Sequence, residues 1–255
     1  MSAPAVLLLH GQPGTSADWA GVRQALEPRF RVVVPDRPGY GTSDSAAGGF
    51  GHNAQAMADL LDRLGIERAL VAGHSWGAGV ALAMAQQHPE RVSAIALVCP
   101  VVPGERLGPV DRALAGRRAG PVVARAGFFL AGTALRSAPV RRRIERRLPG
   151  SDVARVGEVA REWRSGRAWR SFWIEQRALF RDLPALREGL TALTIPVTVV
   201  VGARDHVTSP EASRRFAASV GARFVEVPGS GHLLPMQRPG EVAAALAAAA
   251  TPDGA

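Results

Sequence analysis

The sequence predicts an α/β fold: a mainly parallel sheet of about six strands, helices on both faces, and a helical segment inserted after the fourth strand. Three observations carry that prediction. Short apolar runs of strand length alternate with longer stretches of helical periodicity, the pattern of a parallel sheet covered on both sides. One strand-to-helix junction is the pentapeptide Gly73-His74-Ser75-Trp76-Gly77, whose flanking glycines allow a sharp turn that a Cβ would obstruct, lifting the serine above the strand ends. Between the fourth and fifth apolar runs lies a long interruption, about Val102 to Leu193, with no clear strand.

In chain order, Ala5–Leu9 is wholly apolar, too short for a helix, and reads as the first strand; Ser16–Leu26 has helical spacing. Arg31–Val34 holds three valines and reads as the second strand, followed by a helix over Asn53–Leu64. The apolar run Ala69–Ala72 enters the pentapeptide, and the helix after it covers Ala78–His88. Val92–Val98 is the fourth strand. After the interruption come the valine-rich strand Val197–Val201, a helix over Pro210–Val220 with proline at its start, the strand Arg223–Val227 and the alanine-rich helix Gly240–Ala249. Residues 1–101 and 194–255 are thus expected to form the sheet core, and 102–193 a helical lid, or cap. Half of the chain's aromatic residues lie in that lid, where Trp169 and Trp173 stand one helical turn apart; with Phe128 they are the expected substrate-binding side chains.

A chain of 255 residues, 47% hydrophobic and 21% charged, can bury a substantial core and is not a disordered segment. No apolar run approaches the length of a membrane span, and Ala5–Leu9 lacks the basic flank of a signal peptide, so a cytoplasmic protein without a membrane partner is expected. The single cysteine, Cys99, excludes an internal disulfide framework and a cysteine-rich metal site. With no metal-spaced histidine cluster either, neither a metal nor an organic cofactor is expected. The formal charge is +9 and every basic residue is arginine, a usage that follows GC-rich coding and weakens a functional reading of each one. Their placement says more: Gly104–Leu190 holds 19 arginines against 9 acidic residues. Arg141-Arg142-Arg143 with Arg146-Arg147 reads first as a solvated helix face; no nucleic-acid partner is expected, and the basic lid points to an anionic small-molecule substrate. A monomer or homodimer is expected.

In such a sheet ligands sit beyond the carboxyl ends of the strands, and the chemistry-bearing residues fall there. A serine hydroxyl needs a base to take its proton, an acid to orient that base and N–H donors for the developing oxyanion. Ser75 follows the third strand; His232 lies in Gly229-Ser230-Gly231-His232, after the last; Asp205 follows the fifth through Gly202-Ala203-Arg204. The loop His10-Gly11-Gln12-Pro13-Gly14 follows the first strand and can aim backbone N–H groups at the pentapeptide, with Gln12 and Trp76 as the two oxyanion donors.

These marks together, His10-Gly11-x-Pro13-Gly14, Asp36-Arg37-Pro38-Gly39-Tyr40-Gly41, Gly73-x-Ser75-x-Gly77, Gly202-x-x-Asp205 and Gly231-His232, resemble the lid-bearing members of the α/β-hydrolase superfamily over essentially the whole core. The resemblance implies a serine hydrolase, esterase-like, with Ser75 as nucleophile, His232 as general base and acid, Asp205 as its partner, and the Gln12 and Trp76 amides as oxyanion hole. It implies mainly a structural turn for Asp36 to Gly41; His10, before the turn glycine, reads as a hydrogen-bonding residue and His74, before the serine, as a packing one. It leaves open, on the same triad, a proline iminopeptidase-like peptidase, a carbon–carbon bond hydrolase or a perhydrolase, and, in another class, a non-catalytic ligand receptor. Relatives with an aspartate nucleophile act on epoxides or carbon–halogen bonds, and Ser75 argues against both. Two departures stand out. The chain reaches the His10-Gly11 loop without the usual antiparallel strand pair, which either leaves Arg31–Val34 as a sheet edge or marks a start inside a longer chain. Many relatives carry an acid shortly after the catalytic histidine, where this chain has Gln237-Arg238.

Overall fold

The computed structural model describes residues 3–104, 107–147 and 153–251. Six strands, β1 (Ala5–Leu9), β2 (Arg31–Val33), β3 (Ala69–His74), β4 (Val92–Val98), β5 (Val197–Gly202) and β6 (Arg223–Val227), pair in the order β2-β1-β3-β4-β5-β6. Every pairing is parallel, and β2 is an edge. Because successive side chains of a strand face opposite sides, Leu7 and Leu9 of β1 enter one apolar core and Val6 and Leu8 the other.

The helices are α1 (Ala20–Leu26), α2 (Phe50–Arg63), α3 (Trp76–Gln87), α4 (Pro109–Ala115), α5 (Ala119–Ala134), α6 (Ala138–Arg147), α7 (Val153–Ser165), α8 (Arg167–Glu188), α9 (Pro210–Ser219), α10 (Leu234–Gln237) and α11 (Pro239–Ala250). α4 to α8 fill the stretch between β4 and β5. No helix among the described residues is long and apolar enough to cross a membrane. The run of arginines falls on α6, with the side chain of Arg147 outside the described residues.

Most differences from the sequence expectation have tertiary causes. Ser16–Leu26 divides into a 3-10 turn, Ser16–Trp19, and α1, with the indole of Trp19 fully buried at the join. α2 starts at Phe50, ahead of the predicted Asn53: its first N–H donates to Asp182 Oδ2 of α8 (3.0 Å), and the Phe50 ring packs 4.4 Å from that of Trp76. A helix start satisfied by a carboxylate from a distant helix leaves no local cap signal. β3 and β5 run on to His74 and Gly202, bringing the strand ends level: Leu9 pairs with Gly73, His74 with Val98, and Gly202 with Val227.

Candidate active site

Ser75 takes φ 53° and ψ −117°, between the last residue of β3 and the first of α3. Such a conformation is strained for a residue with a side chain, and its surroundings hold it in place. A Cβ on Gly73 would come within 2.2 Å of the Gly77 carbonyl oxygen, and one on Gly77 within 2.6 Å of the Leu9 and His10 carbonyls, so only glycine fits either flank. The Ser75 N–H donates to the Val98 carbonyl (2.9 Å), binding the turn to β4.

The Ser75 hydroxyl lies 3.0 Å from Nε2 of His232, whose Nδ1 lies 2.8 Å from Oδ2 of Asp205. Both distances are within hydrogen-bond range. The Asp205 carboxylate also accepts from the Val207 N–H (2.8 Å), the Thr208 N–H (3.0 Å) and the Thr208 hydroxyl (2.8 Å). Burial raises its pKa, but the His232 contact and these donors outweigh burial and hold it down, at about 2. Asp205 is therefore more acidic folded than unfolded, and it stabilises the fold above about pH 4 by roughly 2 kcal/mol, lost as the pH falls through 2. Asp205→Asn should flatten the acid limb of a stability-versus-pH curve measured by denaturant melts; an unchanged limb would contradict the assignment.

The loop carrying His232 is fixed from both sides. Gln237, which stands where relatives carry an acid, accepts the Gly231 N–H through Oε1 (2.8 Å). His74, buried and with its pKa lowered to about 3 by burial and by His232, is neutral and donates from Nε2 to the His232 carbonyl (2.8 Å). It joins the Ser75 turn directly to the histidine loop.

Under the His10-Gly11 loop lies a feature that the sequence does not disclose. Arg37 is fully buried; it donates to the carbonyls of His10 (2.7 Å) and Gly11 (3.0 Å), to Asn53 Oδ1 (3.1 Å), and to Glu175 of α8. The Tyr40 hydroxyl completes the carboxylate of Glu175 (2.7 Å). Burial pushes the Glu175 pKa up while the guanidinium opposes it. His10 Nε2 accepts the Arg37 N–H (2.9 Å) and its Nδ1 reaches the Gly11 carbonyl (2.8 Å), so it serves this scaffold as a neutral ring. In a planar trans peptide C=O and N–H point opposite ways. Two donors on the Gly11 carbonyl therefore turn the Gln12 N–H away from Arg37. Among the described residues no acceptor takes that N–H or that of Trp76. The turn at Asp36–Gly41, expected to be mainly structural, anchors the loop beside Ser75. The missed signal was an arginine flanked by aspartate and proline within that turn, obscured by the chain's general excess of arginine.

A cavity of about 600 Å³ opens beside His232. Leu135, Ile144, Val156, Val159 and Trp163 from the inserted helices line it, with Gln12, Leu233 and Met236 from the core loops. Its charged liners are Asp18 and Glu162, and among the described residues lining it none is arginine. Trp169, Trp173 and Phe128, expected in the pocket, lie elsewhere: Trp169 lines a separate outer cleft, the Trp173 indole donates to the Gly116 carbonyl (3.2 Å), and Phe128 packs between Trp163 and Phe172. Trp169 and Trp173 do stand one turn apart on α8, but neither lines the cavity beside His232. Trp163 is the aromatic of the inserted helices that reaches the cavity, beside Tyr40 of the core.

Cys99, Asp205 and His232 place ligand atoms within 4.8 Å of one another, the one such cluster among the described residues. The imidazole and carboxylate are already bonded to each other, and burial pushes the thiol pKa up, away from the thiolate that a metal takes. The set fits a proton-handling pair with a neutral thiol behind it better than a metal centre.

A family model described as alpha/beta hydrolase fold matches residues 4–239. Among curated relatives, an uncharacterized protein of Mycobacterium tuberculosis is 44% identical over 99 residues, 38% of this chain, and the match spans only 29% of that protein's length. Haloalkane dehalogenase 2 of the same species is 27% identical over 261 residues, covering 96% of this chain and 87% of that one. Among solved structures, a thermophilic esterase from Thermogutta terrifontis is 26% identical with a TM-score of 0.73, covering 96% of this chain and 89% of that one.

Proposed function

The chain belongs to the alpha/beta hydrolase fold family, and from that premise we propose that it is a serine hydrolase that cleaves a carboxylic ester or related acyl bond through an acyl-serine intermediate. The observation that carries the reading is the unbroken relay from the Ser75 hydroxyl through His232 to Asp205, at 3.0 and 2.8 Å. In this mechanism His232 Nε2 takes the Ser75 proton as Oγ attacks the acyl carbon, then gives it to the leaving alkoxide; water hydrolyses the acyl-serine with the same histidine as base. Asp205 holds the ring with Nδ1 protonated and stabilises the transient imidazolium. The Gln12 and Trp76 N–H groups stabilise the oxyanion, and losing one such donor costs about 10² to 10³ in rate. The similarity to a dehalogenase does not extend to the chemistry, since displacing halide from an alkyl carbon needs a carboxylate where this chain has Ser75.

The cavity supports a neutral, apolar acyl group in place of the anionic substrate expected from the arginines, because the charges that face it are acidic. For p-nitrophenyl esters kcat/KM should rise with acyl length beyond acetate, by up to about fourfold per methylene buried, and neutral esters should outrun carboxylated ones. Rates that fall from acetate onward would contradict the cavity assignment. The nucleophile itself is tested by a fluorophosphonate probe: labelling of the native protein, lost in Ser75→Ala, is expected. No labelling at neutral pH would overturn the enzymatic reading and favour the receptor.

A second reading draws on Glu162, which faces the same cavity. A carboxylate there suits a substrate with a free amine, as in an aminoacyl ester or peptide. Hydrolysis of an aminoacyl p-nitroanilide that is lost in Glu162→Gln would favour it, and its absence would dismiss it.

A further inference from the structure

α5 has two unlike sides. One buries Ala124, Phe128 and Gly132, with α7 and α8 packed against the helix. The other leaves Val122 and Leu130 each 67% exposed, Val123 50% and Phe129 48%. With Ala126, these recur at the three- and four-residue intervals that gather side chains on one face. Of the eight large hydrophobic side chains exposed among the described residues, four are here, and such a concentration marks a contact surface.

Charge says what the surface contacts. α5 contains no acidic residue. Arg125 stands exposed on it and Arg118 and Arg136 just beyond its two ends, Arg142, Arg143 and Arg146 stand exposed on α6, and the Arg164 guanidinium lies 5.1 Å over the Phe129 ring. A second copy docking through the same face would bring like charges together. A nucleic acid would satisfy the arginines but gain nothing from Val122, Phe129 and Leu130. An anionic lipid surface satisfies both, with phosphates for the arginines and an apolar layer just beneath. No spanning helix is needed for such a contact. The position also suits the chemistry: Leu135, where α5 ends, lines both the arginine-lined groove that holds Phe129 and the apolar cavity beside His232.

We infer that the exposed face of α5 docks on an anionic lipid surface, its apolar side chains entering the boundary between headgroups and acyl chains while the neighbouring arginines take lipid phosphates. The docking stands independently of Ser75. That the lipid layer then supplies an apolar ester to the cavity rests on the function proposed above.

The test is co-sedimentation of the full chain with vesicles of phosphatidylcholine, alone or mixed with phosphatidylglycerol, at low and high salt. Binding to the mixed vesicles at low salt is expected to exceed binding to phosphatidylcholine by about tenfold or more and to weaken with added salt. The double variant Phe129→Ser/Leu130→Ser should lose most of that binding while keeping its circular dichroism and its hydrolysis of a soluble short ester. Arg142→Gln/Arg143→Gln should weaken it through charge alone. No binding to the mixed vesicles at low salt overturns the proposal. So does a dimer in sedimentation velocity that the Phe129/Leu130 variant abolishes, which would make the face a contact between copies. Heparin retention with no vesicle binding would assign the arginines to another polyanion and overturn it as well. The hydrolase reading fails separately, by turnover that survives Ser75→Ala.

Discussion

Ser75→Ala and His232→Ala are each expected to lower kcat for p-nitrophenyl butyrate by about 10⁴- to 10⁶-fold, with the fold unchanged by circular dichroism. Each removes one end of the same proton transfer, so the double variant should be little worse than either single one. Asp205→Asn should cost about 10⁴-fold, for a reason visible in the geometry. The Val207 and Thr208 N–H groups both donate to Oδ1, so an asparagine keeps its carbonyl oxygen there and turns its amide toward His232. That amide can only donate to Nδ1, which moves the ring proton to Nε2, and a protonated Nε2 cannot accept from Ser75. Half of the native activity remaining in any of the three variants would end the triad assignment.

Glu175→Ala is expected to destabilise the protein by about 3 to 5 kcal/mol in urea melts, because it leaves the fully buried Arg37 guanidinium without its counter-charge. Replacing both partners, as in Arg37→Met/Glu175→Leu, should cost less than Glu175→Ala alone, since neither charge is then stranded. The double variant should still be a slow enzyme. Without Arg37 the Gly11 carbonyl loses one of its two donors and the Gln12 N–H its fixed direction, a loss bounded by the roughly 10²- to 10³-fold cost of one oxyanion donor. A cost below about 1 kcal/mol for Glu175→Ala would show that the pair does not hold the inserted helices to the core.

The parallel sheet, the turn at Ser75, and the placing of Asp205 and His232 just beyond their strands were all legible in the sequence, because each is written in neighbouring residues: short continuous apolar runs, glycines flanking a serine, a glycine-rich loop after a strand. Tertiary structure decided what local pattern cannot encode. Arg37 and Glu175 are 138 residues apart and meet only because α8 lies across the strand ends. The same packing gives α2 its start through Asp182, turns Trp169 and Trp173 away from the cavity, admits Trp163, and leaves the arginines outside. Periodicity fixes which residues share a helix face, but the neighbour that covers that face depends on how five helices stack, a matter of shape and burial summed over long-range contacts.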